Sequence, residues 1–188
     1  MRAAVTLLAG ASSTPADVSA PFLIDTDCGL DDLSTLAIAI GLAEPPALIT
    51  TCSGLAPPGH GHLLAGRLLS SLTTIGLPTV VAGAEEPPAT VSRMKDAWEL
   101  TYQERVAEVC TSLGIEHVTP AQAQVVGSAA AAADAIVDAA GAAGESGVVI
   151  LALGAMTNLA AAAQRHPAAF TRSVRRIIFI AARSWLQT

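Results

Sequence analysis

Phe22-Leu23-Ile24-Asp25-Thr26-Asp27-Cys28-Gly29-Leu30-Asp31-Asp32 carries an apolar run into a helical pattern that starts Leu33-Ser34-Thr35-Leu36. Residues 25–32 hold four of the chain's eight aspartates. Carboxylates this close repel one another when ionised, and a bound divalent cation is the simplest group to offset that repulsion. Gly29 allows a sharp turn with close backbone approach. Asp27 and Asp32 can then converge on one cation from opposite sides of the turn. The plainer reading makes one aspartate a helix N-cap and leaves the others as solvated turn residues. Four in this order favour the site.

Outward from this window, strand and helix patterns alternate. Residues 21–26 read as a buried strand. Residues 31–43 read as a helix, because Leu33, Leu36, Ile40 and Ala43 recur at helical spacing. Pro45-Pro46 stops it. Further strands are predicted at 47–52, 79–82, 148–153 and 174–182, and further helices at 61–75, 91–114, 128–140 and 157–165. Apolar strands separated by helices predict an α/β fold: an open, mostly parallel, Rossmann-like sheet with helices on both faces. Ligands of such sheets bind beyond the carboxyl ends of the strands. The aspartates lie at the carboxyl end of the first strand, so geometry and chemistry point to one place.

Composition bounds the function. The 188 residues are 52% hydrophobic and 14% charged, enough for one sizeable domain and too apolar for disorder. A net charge of -6 argues against a nucleic-acid surface. Arg172, Arg175 and Arg176 read as a solvated helix end and strand start. No apolar stretch is long and bulky enough to span a membrane. The three cysteines, Cys28, Cys52 and Cys110, have no metal-finger spacing, which fits a reducing, cytoplasmic setting. Residues 1–20 read as a disordered leader, with a weak signal-like segment at 3–9 as the other reading. Residues 21–188 are expected to form the domain.

The string DTDCGLDD after an apolar strand resembles the signature of the inosine-uridine preferring nucleoside hydrolases. Leu48-Ile49-Thr50-Thr51-Cys52-Ser53-Gly54 is similar to that family's second strand and glycine turn. Leu77-Pro78-Thr79-Val80-Val81-Ala82-Gly83-Ala84 resembles its third strand. Leu151-Ala152-Leu153-Gly154-Ala155-Met156-Thr157-Asn158 resembles its strand-to-helix motif. The resemblance implies one calcium ion (Ca2+) and hydrolysis of the N-glycosidic bond of ribonucleosides, giving free base and ribose. Carried over residue by residue, Asp27 and Asp32 would ligate calcium, with Asp27 also orienting or deprotonating the attacking water. The backbone carbonyl of Leu153 would add a ligand. Asp31 would hold ribose hydroxyls. Asp25 and Asn158 would brace the turn from behind. Self-association into a homo-oligomer is likewise implied only by the resemblance.

The chain also departs from the family. Leu55 stands where an asparagine is usual, Cys28 where proline is usual, and Ala181-Ala182 where a Gly-Gly turn is usual. A glycine-rich segment is not recognisable in 91–120. Family members are considerably longer, and their later part supplies another calcium-binding aspartate, ribose-binding Asn and Glu, and often a histidine near the base. The chain is therefore expected to correspond to the N-terminal part of the fold, lacking the C-terminal part. An inactive relative acting as a calcium-binding or interaction module is the main alternative. A haloacid-dehalogenase-like phosphatase ranks lower: its Asp-x-Asp loop prefers Gly-Thr where this chain has Cys28-Gly29, and the only lysine, Lys95, is in the wrong context. His60 and His62 are read as polar loop residues. His117 and His166 are read as surface or capping residues. Trp98 and Tyr102 are read as a helical packing pair.

Overall fold

The computed structural model describes residues 20–41, 45–72, 76–85, 105–108, 110–112, 114–116 and 127–179. Its elements run β1 (Phe22–Thr26), α1 (Leu30–Ile40), β2 (Leu48–Thr51), α2 (Pro58–Leu72), β3 (Thr79–Ala82), α3 (Ala129–Ala142), β4 (Val148–Ala152), α4 (Thr157–Arg165), α5 (Pro167–Ser173) and β5 (Val174–Phe179). Residues 105–108 and 110–112 are also helical. The rest of the helix predicted over 91–114, with Trp98 and Tyr102, lies outside the described residues. So do His117, Ala181-Ala182 and all of the predicted leader except Ala20.

All five strands are parallel, in the order β3-β2-β1-β4-β5. Burial on both faces follows from the two-residue period of a strand. Leu23 and Leu48 face a core with Ile136, Ile150 and Leu159, under α3 and α4. Their neighbours Ile24 and Ile49 face the opposite core, with Leu36, Leu64 and Leu68 of α1 and α2. Each fully buried Leu or Ile stabilises the fold by about 1.5–3 kcal/mol relative to exposure. Alanine is the economical choice in α3. Ala132, Ala133 and Ala140 are buried there, which lets the helix approach the sheet closely.

Two helix starts, both at prolines, differ from the sequence expectation by more than one residue. The second helix begins at Pro58, not Gly61. Proline suits a first helical position because its missing N–H had no partner there anyway. His60 and His62 are therefore helical, and His60 is buried rather than in a loop. Pro167 likewise opens a short helix, α5, directly after α4. His166 sits at this junction, its Nε2 2.7 Å from Asp134 Oδ1 on α3. Asp134 also receives Arg165 at 3.3 Å. Among the described residues no helix is long and apolar enough to cross a membrane.

Candidate active site at the sheet switch point

Strand order reverses direction between β1 and β4, since β2 and β3 build outward on one side of β1 and β4 and β5 on the other. A crevice opens at the carboxyl ends of two such strands. Asp27 follows β1 immediately, and Leu153-Gly154 follows β4. The backbones are stitched together here. Leu153 N donates to Asp25 O at 2.7 Å, and Cys52 N donates to Thr26 O at 2.9 Å. Gly154 packs against β1 so tightly that a Cβ there would stand 2.6 Å from Asp27 N.

Alternation along β1 sends its polar residues to different helices. Asp25 lies on the face of Leu23 and is buried at 1% exposure. Its Oδ1 accepts from Thr50 Oγ1 at 2.5 Å and from Asn158 Nδ2 at 2.8 Å. Its Oδ2 has no hydrogen-bond partner among the described residues. Burial pushes the Asp25 carboxyl up to about 6; the Thr50 and Asn158 hydrogen bonds oppose this, and the Asp27 charge adds to it. Asn158 is fully buried in the first turn of α4. Besides Asp25, it donates to Thr51 O at 3.1 Å and accepts from Ala84 N at 2.8 Å. One amide thus joins the ends of β1 and β2 to the segment after β3.

Thr26 points the other way, toward α1. Its hydroxyl donates to Asp32 Oδ2 at 2.6 Å and accepts from Cys28 N at 2.8 Å. Asp32 is buried, and its carboxyl is pushed up to about 7, first by burial, with the Asp27 and Asp31 charges adding and Thr26 opposing. Asp27 and Asp32 lie close enough to share a hydrogen bond. The second oxygen of Asp27 accepts from Leu55 N at 3.0 Å. Asp31 is exposed at the mouth. The N-cap of α1 is Gly29, so none of the aspartates is the N-cap. Leu153 lies beside the turn through its bond to Asp25, and Asn158 and Asp25 stand behind it.

Cys28 has φ of 57°, the only non-glycine among the described residues with positive φ. Its side chain is fully buried, and its Sγ donates to Gly61 O at 3.4 Å. Burial and the Asp32 charge raise its thiol pKa, so it is held neutral. The usual family proline would fit neither this φ nor the N–H donated to Thr26. Cys28→Pro is expected to cost about 3 kcal/mol or more, read as a lower urea midpoint. An unchanged midpoint would show that the turn adopts another conformation.

The aspartates, Leu153 and Asn158 were legible as candidates. The threonines were not: Thr26, Thr50 and Thr51 act through buried hydroxyls, Thr51 donating to Pro58 O at 2.8 Å. Their signal was a hydroxyl-bearing β-branched residue at the carboxyl end of an apolar strand. A shallow groove of about 480 Å³ beside α2, lined in part by His62, Arg67 and Glu116, lies elsewhere; no aspartate lines it.

The paired carboxylates suit a hard cation. Asp27 and Asp32 are pressed together at the cost of mutual repulsion, and their oxygens are the donors that calcium takes. They make up part of a coordination shell. Among the described residues no cluster of three or more His, Cys, Asp or Glu side chains is arranged to hold a metal. Calcium takes about six to eight oxygens, so carbonyls, water or further donors must complete it.

A parallel sheet with an acidic turn at its switch point defines an α/β fold of the kind whose ligands bind at the carboxyl edge of the sheet. Residues 22–183 match the model of the inosine-uridine preferring nucleoside hydrolases, and the chain belongs to that family. No curated protein matches it. Among solved structures, a purine-preferring ribonucleoside hydrolase from Gardnerella vaginalis is 25% identical with a TM-score of 0.58, over 86% of this chain and 48% of that one. An inosine-uridine preferring nucleoside hydrolase from Bacillus anthracis is 14% identical with a TM-score of 0.59, over 85% of this chain and 50% of its own. A plant nucleoside hydrolase is 23% identical with a TM-score of 0.57, over 85% and 47%. The latter two bear on the fold alone. The chain spans about half the length of the solved structures it matches.

Proposed function

We propose that this chain carries the catalytic turn of a calcium-dependent ribonucleoside hydrolase, which cleaves the N-glycosidic bond to release base and ribose. The observation that carries this reading is the convergence of Asp27 and Asp32 at the switch point, with Asp31 exposed at the mouth. Asp27 and Asp32, with the Leu153 carbonyl, would hold the cation. Bound there, calcium would supply Lewis-acid activation of the attacking water.

The residues then divide the work. Asp27 receives the proton of the water as its oxygen bonds to C1′ of the sugar, and the bond from C1′ to the base nitrogen breaks with its electron pair leaving on the base. Positive charge develops on the ribosyl ring as that bond lengthens, and the carboxylates facing it stabilise it. Asp31 accepts from sugar hydroxyls and fixes the ring relative to Asp27. Leu55 N–H holds Asp27 in one orientation. Asp25, Thr50 and Asn158 keep the turn in register with β2 and β4.

Positioning is tested by Gly54→Ala. A Cβ at residue 54 would lie 2.1 Å from Asp27 Oδ2, so the carboxylate must move. Displacing a catalytic group by about 1 Å lowers rates roughly 10²-fold. The expected result is such a loss in kcat with little change in the far-ultraviolet circular dichroism. Full activity in G54A would exclude Asp27 from the proposed role. The reading as a whole is tested by ribose release from inosine and uridine in calcium and in chelator. Calcium binding without ribose release would make the chain a calcium-binding module instead.

A further inference from the structure

One hydroxyl ties the central strand of the sheet to the first turn of α1. Thr26 ends β1 with its side chain fully buried, and Cys28 N donates to its Oγ1 at 2.8 Å. An oxygen that accepts from that N–H keeps its single proton for another partner, and Thr26 gives it to Asp32 Oδ2 at 2.6 Å. Neither end of this bond is free to drift. The Thr26 carbonyl accepts from Cys52 N at 2.9 Å, and Thr26 lies in register with Thr51 of β2. Asp32 is itself buried in the first turn of α1. A β-branched side chain is stiff at χ1, so the hydroxyl keeps one direction.

We propose that Thr26 is a positioning residue for the cation: its hydroxyl fixes Asp32 in the orientation that ligates calcium, and so sets calcium affinity. This inference rests on the reading of Asp27 and Asp32 as calcium ligands, and not on the hydrolysis that follows. Asp32 needs such a support because Asp27 stands against it. Two ionised carboxylates in contact repel, and an untethered Asp32 would turn away from Asp27 whenever the cation is absent. Bringing it back would cost side-chain freedom at the moment of binding. A donor that cannot move, placed on one carboxylate oxygen, removes that cost beforehand. Partners that hydrogen-bond a ligating side chain typically hold about 10–100-fold of metal affinity. Thr51, the neighbour in register, is an internal comparison. Its hydroxyl is equally buried but donates at 2.8 Å to a backbone carbonyl, Pro58 O, rather than to a carboxylate.

The test is calorimetric titration of calcium, without nucleoside, into the full chain and into Thr26→Val, Thr26→Ser and Thr51→Val. Valine keeps the shape and branching of threonine and removes only the hydroxyl. T26V is expected to weaken calcium binding about tenfold or more. T26S, which keeps the donor, and T51V, which loses a buried hydrogen bond elsewhere, are expected to stay within about threefold of the wild type. Thr26→Cys, a weak donor of nearly the same volume, stands in if T26V does not fold; a loss of at least about threefold is expected of it, and no loss overturns the proposal. Wild-type affinity in T26V, or a loss in T26S or T51V equal to that in T26V, also overturns it. A wild-type chain that takes up no calcium at millimolar concentration overturns it together with the metal site. Binding in the expected order without ribose release from inosine upholds the proposal and removes the hydrolase reading.

Discussion

Asp27→Asn is expected to lower kcat/KM for nucleoside hydrolysis about 10³-fold, the combined loss of a general base and of one charge facing the ribosyl cation. The substitution is a fair probe because the amide keeps an oxygen for Leu55 N–H and is nearly the same size as the carboxylate it replaces. It also removes one partner from a pair of carboxylates in contact, which relieves repulsion with Asp32. Thermal stability in chelator should therefore hold or rise while activity collapses. Steady-state kinetics and a melting curve on the same preparation check both halves. Retention of more than a tenth of wild-type kcat/KM would remove Asp27 from the chemistry.

Asn158→Leu is expected to destabilise the fold by about 3–5 kcal/mol, measured as a fall in the urea midpoint at unchanged slope. The side chain is fully buried and makes three hydrogen bonds, to Asp25 Oδ1, Thr51 O and Ala84 N. Leucine restores none of them and strands two backbone groups and a carboxylate. Asp25 is already difficult to ionise, with its other oxygen unpartnered among the described residues. Gly83 makes the site less forgiving still, since a Cβ there would stand 2.3 Å from Asn158 Oδ1. A loss below about 1 kcal/mol would mean that water or rearrangement replaces the amide.

The sheet was legible because its cause is local. Leu23-Ile24 and Leu48-Ile49 are apolar pairs, and a strand apolar at consecutive positions must be covered on both faces. The aspartate turn was legible because its composition is improbable without a ligand. What the sequence concealed was direction. Nothing in DTD says that Asp25 is buried toward α4 while Thr26 turns to α1 and braces Asp32. That division depends on which helix lies over which face, a tertiary fact. Helix starts at Pro58 and Pro167 were missed for a related reason. A proline that could end the preceding segment equally suits the first turn of the next. The positive φ of Cys28 had no signal in the residue, because cysteine has no special preference for that conformation.

The most direct test is ribose release from inosine and uridine by the purified 188-residue protein, in calcium and in excess chelator, beside the Asp27→Asn variant. The account predicts release in calcium, none above background in chelator, and a loss of about 10³-fold in the variant. Release that persists at the same rate in chelator or in D27N, or no release under any condition, would contradict it.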